Sequence, residues 1–590
     1  YDFVIVGGGT AGCALAARLA EDGSFRVLLI EAGSKGDDVT DIRKPFMWPF
    51  LSGSKVDWNY KTVAQKGLNN RVIACPRGFV LGGCSAINAL TYNRASNDFY
   101  DKWAEDVEDG GWSWKSMEHY YRKVLSLVPP ADEHDTTGQV DPALYGNGPI
   151  QLSINTSYSK DIHSRTMESV DSLGGQFFTN LDLQGGRTLG FSWLVSTVAG
   201  GERSYTTRYL DTMENGKNLD ILINTRVTRI LPVPGSLGAP DMRTVEIASS
   251  REGSPRSTIT ARKEVILAAG SINSPQILQL SGIGSKKILE PLGIDVHLDI
   301  QDVGLNLRDH ATIATYFSTT SQATWDGIVR DHSELGKFAT QWDNSRNGLF
   351  ADPPASGLGY IRLPDDDPVL KKVGDPSSGP SAAHIEYAFG ASTYSSVACA
   401  LKANQEQNGF IPLSTEPPPT SGNYITALVV STSPTSAGSV QINSSDAFDA
   451  PLIDFAILTT EFDQHTIVEG MKSAVKLFAA APLKEINTKP CGTFAAALET
   501  GSDDALLNYA RDIGITMFHA SCTTAMSPVS ASWGVVNPDL TVKGAQGLRI
   551  VDAGVFPRIP ECHPTGVIYA LAERAADIIK TKYSAALSES

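Results

Sequence analysis

The chain is short of cysteine, of positive charge and of long apolar runs, and each shortage removes a class of protein. Seven cysteines among 590 residues are an odd number with no C-x-x-C pair, so neither a disulfide framework nor a metal site is indicated. A single bridge, Cys399 to Cys491, stays open. Lysine and arginine total 49 against 65 acidic residues, for a formal charge of -16, which argues against nucleic-acid or anionic-membrane partners. The longest apolar stretch, Leu267 to Leu280, is broken by Gly270, Asn273, Ser274 and Pro275, so no bilayer-spanning helix is expected. Acidity, few lysines and N-x-S/T sequons at Asn155 and Asn443 give the expectation of a secreted glycoprotein, any leader lying outside this numbering. The length is too great for one hydrophobic core, which predicts at least two lobes.

What is present begins at the first residues. Phe3 to Val6 is apolar and β-branched, as a strand buried on both faces of a parallel sheet should be. It runs into Gly7, Gly9 and Gly12 in G-x-G-x-x-G spacing, then into a small-residue helix and a second apolar strand ending at Glu31. Gly7 permits the tight turn, Gly9 a close backbone approach to a pyrophosphate, and Gly12 close helix–sheet packing. Glu31, nineteen residues past Gly12, is placed to accept hydrogen bonds from an adenosine ribose. The unit predicts dinucleotide binding.

Three further stretches are patterned. Arg77, Gly78, Leu81, Gly82, Gly83, Ser85 and Asn88 form R-G-x-x-L-G-G-x-S-x-x-N; Gly270 to Gly284 reads G-S-I-N-S-P-Q-I-L-Q-L-S-G-I-G; and Val303 to His310 reads V-G-L-N-L-R-D-H. Paired glycines allow backbone to lie against a flat ring and expose N–H donors. With the N-terminal fingerprint these stretches resemble the glucose-methanol-choline (GMC) family of FAD-dependent oxidoreductases. The resemblance implies an α/β fold: a Rossmann-like FAD-binding lobe with a second, α+β substrate lobe built on an antiparallel sheet. The FAD lobe is expected from 1–95, 201–310 and 531–590, the substrate lobe from 96–200 and 311–530. It assigns to the cofactor Gly7, Gly9, Thr10, Ala11, Gly12, Glu31, Ala32, Arg77, Gly82, Gly83, Ser85, Asn88, Ala89, Val227, Asp552, Ala553, Pro564 and Thr565. Ile87 stands where some members carry a histidine bonded to FAD, so the flavin is expected to be non-covalent. Helices are expected over Asp98 to Val107, Ser116 to Val124 and Glu461 to Ala480, and strands over Leu219 to Ile230, Lys263 to Ala269 and Tyr424 to Ser431.

The C-terminal part carries two histidines 44 residues apart. His519, in Phe518-His-Ala-Ser-Cys-Thr-Thr-Ala-Met526, and His563, in Glu561-Cys-His-Pro-Thr-Gly566, match the family's catalytic positions in the His/His form. Flavin-dependent alcohol oxidation needs a base for the hydroxyl proton while hydride moves to flavin N5, and imidazole suits that work. The resemblance makes His519 the leading base and His563 its partner, with exchanged or shared roles open. Pro564 fits the first position of a helix whose positive end faces the site. His310 is expected to order a loop rather than to do chemistry, and His163 to be a core or surface residue. The function implied is oxidation of a small-molecule alcohol, sugar or aryl, with an electron acceptor, oxygen or another. A hydroxynitrile-lyase-like enzyme with structural FAD is the alternative. A pyridine-nucleotide-disulfide reductase is disfavoured, since a second fingerprint and a C-x-x-x-x-C are both missing.

Overall fold

Phe3–Val6 forms the middle of a five-stranded parallel sheet because every one of its side chains is buried and needs cover on both faces. The computed structural model describes residues 1–21, 23–156, 160–213, 218–235, 238–251, 253–330, 332–355, 357–390 and 421–588. The sheet order is Leu219–Leu222, Val27–Ile30, Phe3–Val6, Glu264–Leu267, Leu548–Ile550. Phe3 pairs with both Val27 and Glu264, so segments far apart in sequence meet beside the glycine turn. The crossover helix Thr10–Ala20 is alanine-rich and packs against the C-terminal helix Thr565–Ser588.

One expected strand is two. Leu219–Leu222 joins the parallel sheet, whereas Thr225–Leu231 belongs to a separate antiparallel sheet with Thr244–Ser249 and Arg256–Thr260. Asn224 lies between them at φ 53°, a left-handed conformation asparagine tolerates and one that stops a strand. The expected helices are present as Asn97–Val107, Trp114–Val124 and Glu461–Phe478. Ser96 and Thr460 cap the first and third through their hydroxyl oxygens.

The second lobe is built on a seven-stranded antiparallel sheet. Ala311–Thr319, Asn423–Ser431, Ile385–Gly390, Gly357–Ile361 and Gly190–Trp193 lie in that order, with Lys489–Pro490 and Ile515–Thr516 on the outer side of the first. Helix Glu461–Phe478 covers it with Phe462, Ile467, Met471 and Phe478. Cys399 and the triple proline at Pro417 lie outside the described residues. No described helix is long and apolar enough to cross a membrane. Of the two sequons, Asn443 is exposed, whereas the side chain of Asn155 donates to the Ala355 carbonyl at 2.6 Å and accepts from the Ser196 hydroxyl.

His163 is a core residue. It is 1% exposed, neither ring nitrogen has a partner among the described residues, and a Cβ on Gly357 would fall 1.9 Å from its ring. Burial pushes it down to about 3, while an unfolded histidine titrates near 6.5. Below pH 6.5 the unfolded chain therefore takes up a proton that the folded chain refuses, and stability falls as pH drops. His163→Leu should remove this dependence. Its advantage in unfolding free energy over wild type is expected to grow by about 1–2 kcal/mol from pH 7 to pH 5; denaturant melts of both at the two pH values check it.

Candidate active site

The site is assembled from backbone brought close by glycine. Gly7, at φ 107°, faces Ala268, whose carbonyl oxygen would be 2.5 Å from a Cβ. A Cβ on Gly12 would be 1.9 Å from the Gly7 carbonyl oxygen. Gly83, at φ 51°, lies so near Gly9 that a Cβ would meet its Cα at 2.7 Å. The Gly82 N–H donates to the Gly8 carbonyl at 2.7 Å. These contacts wall one cavity of about 270 Å³.

Glu31, Ala32 and Val227 line that cavity. Glu31 accepts the Gly8 N–H at 2.8 Å and the Gly33 N–H at 2.7 Å, and burial pushes its carboxyl up to about 7. Gly7, Gly9, Thr10 and Ala11 bring the N-terminus of helix Thr10–Ala20 to the wall, and that helix has no acidic residue in its first turn. Unpaired helix N–H groups there suit a diphosphate. The buried Ser271 hydroxyl, also on the wall, has no partner among the described residues, and a ligand would supply one. The donor set fits an adenine dinucleotide.

Asn88, Ala89, Asp552, Ala553, Pro564 and Thr565 line the same cavity. The Asp552 carboxylate accepts from Gly270 N–H, Gly554 N–H and the Ser274 hydroxyl, tying its own turn to helix Gly270–Leu280. Gly12, Gly82 and Ser85 do not line it. Gly12 and Gly82 act from behind by permitting close packing, and the Ser85 hydroxyl donates to the Gly82 carbonyl at 2.7 Å. Pro564 stands one place before the expected position: its carbonyl accepts from Ile568 N–H, and Thr565 is the first helical residue. Arg77 lines the cavity, but its guanidinium reaches the Phe518 carbonyl at 2.6 Å. Phe518 is at φ 65°, a conformation costing on the order of 1–3 kcal/mol that its surroundings must hold.

His519 and His563 meet on the cavity wall with ring centroids 4.7 Å apart and planes at 75°. Their surroundings differ. His563 Nε2 lies 2.6 Å from the buried Glu386 Oε1, and its backbone N–H donates to Asn93 Oδ1 at 3.0 Å. His519 Nδ1 lies 2.9 Å from His310 Nδ1. Desolvation first, then the nearby His563, His310 and Arg77, hold His519 well below the ordinary imidazole value; burial likewise takes His310 to about 3. His310 does order a loop, its carbonyl accepting from Met517 N–H, but its ring also braces His519. Cys562 is buried, its thiol pushed far up by desolvation. The reading of the sequence passed over Glu386, Asn93 and Tyr360, whose hydroxyl accepts from Asn93 at 2.6 Å. The one signal for Glu386 was a carboxylate inside an apolar strand, between Ile385 and Tyr387.

The GMC oxidoreductase family models match residues 1–312 with the N-terminal part and 434–572 with the C-terminal part. The chain belongs to the GMC oxidoreductase family. A pyranose dehydrogenase of Agaricus xanthodermus is 36% identical over 99% of this chain and 93% of that protein. A solved formate oxidase of Aspergillus oryzae, a variant studied for its effect on FAD modification, superposes with TM-score 0.88 at 27% identity, over 99% of this chain and 98% of that one. A fungal aryl-alcohol oxidase gives 0.81 at 26%, over 99% of each chain. This GMC oxidoreductase is an FAD-dependent enzyme acting on CH–OH donors. Its cradle leaves no room at Gly83, so Gly83→Ala should force backbone apart and be purified with less than about a tenth of the wild-type flavin per chain, given a strained φ and a direct clash. The ratio of flavin absorbance to protein absorbance measures it.

Proposed function

We propose that this enzyme oxidises a small alcohol with His519 as the base that takes the hydroxyl proton and His563 as its partner. The observation that carries the reading is the pair itself: two imidazoles 4.7 Å apart on the wall of the dinucleotide cavity, in opposite electrostatic settings. FAD, when bound, supplies the acceptor for the α-carbon hydride and passes the electrons on to a second substrate.

The contact between His310 and His519 needs one hydrogen between two Nδ1 atoms. With that hydrogen on His519, its Nε2 keeps a lone pair for a substrate hydroxyl. The Glu386 carboxylate can only accept while ionised, so His563 Nε2 carries the N–H and its Nδ1 is the acceptor in the neutral ring. A proton arriving at His519 finds a poor resting place, since burial disfavours its imidazolium. His563 is instead held through its ring by a direct hydrogen bond to the Glu386 carboxylate. The neighbouring His563 ring, through its Nδ1, is then the acceptor to which His519 can hand the proton. The N-terminal end of helix Thr565–Ser588, with Pro564 and Thr565 on the wall, adds positive potential where negative charge develops.

Ile87 supports non-covalent cofactor binding. It lines the cavity, and its side chain has no nucleophilic atom. Acid precipitation should leave the yellow colour in the supernatant; a yellow pellet would contradict this.

His519→Ala should slow anaerobic flavin reduction by a good alcohol substrate about 10²–10⁴-fold, read by stopped flow on flavin-loaded protein. A base works only deprotonated, and His519 is held below its ordinary value. The acid limb of kcat/KM should therefore appear at pH below about 6.5, the value of a free imidazole. A limb at or above that value would transfer the role to another group.

A further inference from the structure

Arg203 is a buried cation without an anion. It is 3% exposed, and no carboxylate among the described residues is paired with it. The titratable groups that act on it are two phenols, Tyr205 and Tyr569. The carboxylate next to it in sequence, Glu202, is already bonded to Arg43 and Arg346. The guanidinium meets only oxygens of amides. Nε donates to the Ile42 carbonyl at 2.8 Å, and Nη1 to the Ser85 carbonyl at 3.2 Å, the Asn88 carbonyl at 2.9 Å and Asn88 Oδ1 at 2.6 Å. Nη2 has no partner among the described residues. Burial pulls the group down to about 9, which still leaves it protonated at neutral pH. A buried charge of this kind is costly unless an anion answers it.

The segment that carries Arg203 stands directly behind the cavity wall. Glu202–Arg203 pairs with Val198–Ala199. The Thr206 hydroxyl donates to the Thr10 carbonyl at 2.9 Å, and the Tyr205 ring lies so close to Gly82 that a Cβ there would meet it at 2.7 Å. Thr10 and Asn88 line the cavity, and Arg203 does not. The guanidinium is therefore one residue removed from the wall, bonded to Asn88. Asn88 Oδ1 also accepts from Leu90 N–H at 3.2 Å. With its amide oxygen turned to two donors, Asn88 keeps its NH₂ group for a ligand.

We propose that Arg203 is a positioning residue that turns the Asn88 amide toward the flavin and whose unanswered charge favours the reduced, anionic cofactor over the oxidised one. Hydride from the donor carbon forms the N5–H bond, its electron pair passes into the ring, and a neutral ring becomes an anion. A fixed cation one residue behind the wall attracts the second state and not the first, and in a water-excluded site that attraction is far stronger than in water. The diphosphate is anionic in both states, so attraction to it cancels from the reduction potential. Arg203 gives up no proton, and the proposal stands whichever histidine is the base.

The test is the midpoint potential of the flavin-loaded enzyme, measured anaerobically against a reference dye, in wild type, Arg203→Met and Arg203→Lys. Arg203→Met should shift the equilibrium between reduced and oxidised flavin about tenfold toward the oxidised form, about 30 mV for a two-electron couple. Arg203→Lys keeps the charge and loses the fork, and should stay within about threefold of wild type. The potential reports the ratio of the affinities for the two redox states. A residue that only scaffolds the loop, or only attracts the diphosphate, would weaken both alike and leave that ratio unmoved. A shift under about threefold in Arg203→Met overturns the proposal, and so does a lysine variant whose potential equals that of the methionine variant. Failure of both variants to hold flavin also overturns it, because Arg203 is then a requirement of the cradle in either redox state.

Discussion

The site depends on the contact between two glycine turns. Where the Gly82 N–H meets the Gly8 carbonyl and Gly83 lies against Gly9, the loop that starts at Arg77 is pressed onto the first strand–turn–helix unit. A side chain at Gly83 cannot make that approach, because its Cβ would fall 2.7 Å from the Gly9 Cα. The same loop then reaches both histidines. Its first residue, Arg77, holds the carbonyl preceding His519, and Asn93, a little beyond it, receives the backbone N–H of His563. The dinucleotide cradle and the imidazole pair are thus set by one segment, and moving one moves the other.

Buried carboxylates decide what the two imidazoles can do. Asp309 accepts the backbone N–H groups of His310 and His519 and the Thr516 hydroxyl, so it fixes the His519 backbone while leaving the ring without an anion. Burial pushes Asp309 up to about 6, the cost of placing it there. Glu386 does the opposite, bonding directly to the ring of His563. The two histidines thus differ in where the nearest carboxylate bonds, at a ring or at a backbone.

What could be read from the residues divides along the same line. The parallel sheet, the glycine turns and both histidines sit in contiguous patterns, where short spacing carries the chemistry and a linear reading suffices. Glu386 does not, because its role comes from a strand whose register places it opposite Val430, and register is invisible without the partner strand. The break at Asn224 was missed for a related reason: an apolar, alternating run from Leu219 to Ile230 has the period of a strand throughout, and only the left-handed asparagine divides it. Gly12, Gly82 and Ser85 were grouped with the cofactor positions, and in the structure they stand behind the wall rather than on it, since a motif records that a residue type is needed without recording which side of the backbone needs it. His310 likewise looked like loop furniture from its own neighbours, and its contact with His519 spans 209 positions of sequence.

The division between backbone and side chain also explains how one architecture can serve different alcohols. Around the glycine turns the wall is largely backbone at Gly7, Gly9 and Gly83, and substitution at Gly7 or Gly83 is penalised by close approach whatever the substrate. Beside the histidines the wall is side chains on one face of an antiparallel sheet, where Ala388, Leu428 and Thr312 can each be replaced without moving a strand. Glu386 occupies that same face and is the exception, because it is tied to the imidazole pair. A sheet that fixes one position and leaves the next alternate positions open lets the wall change while the contact between Glu386 and His563 stays in place.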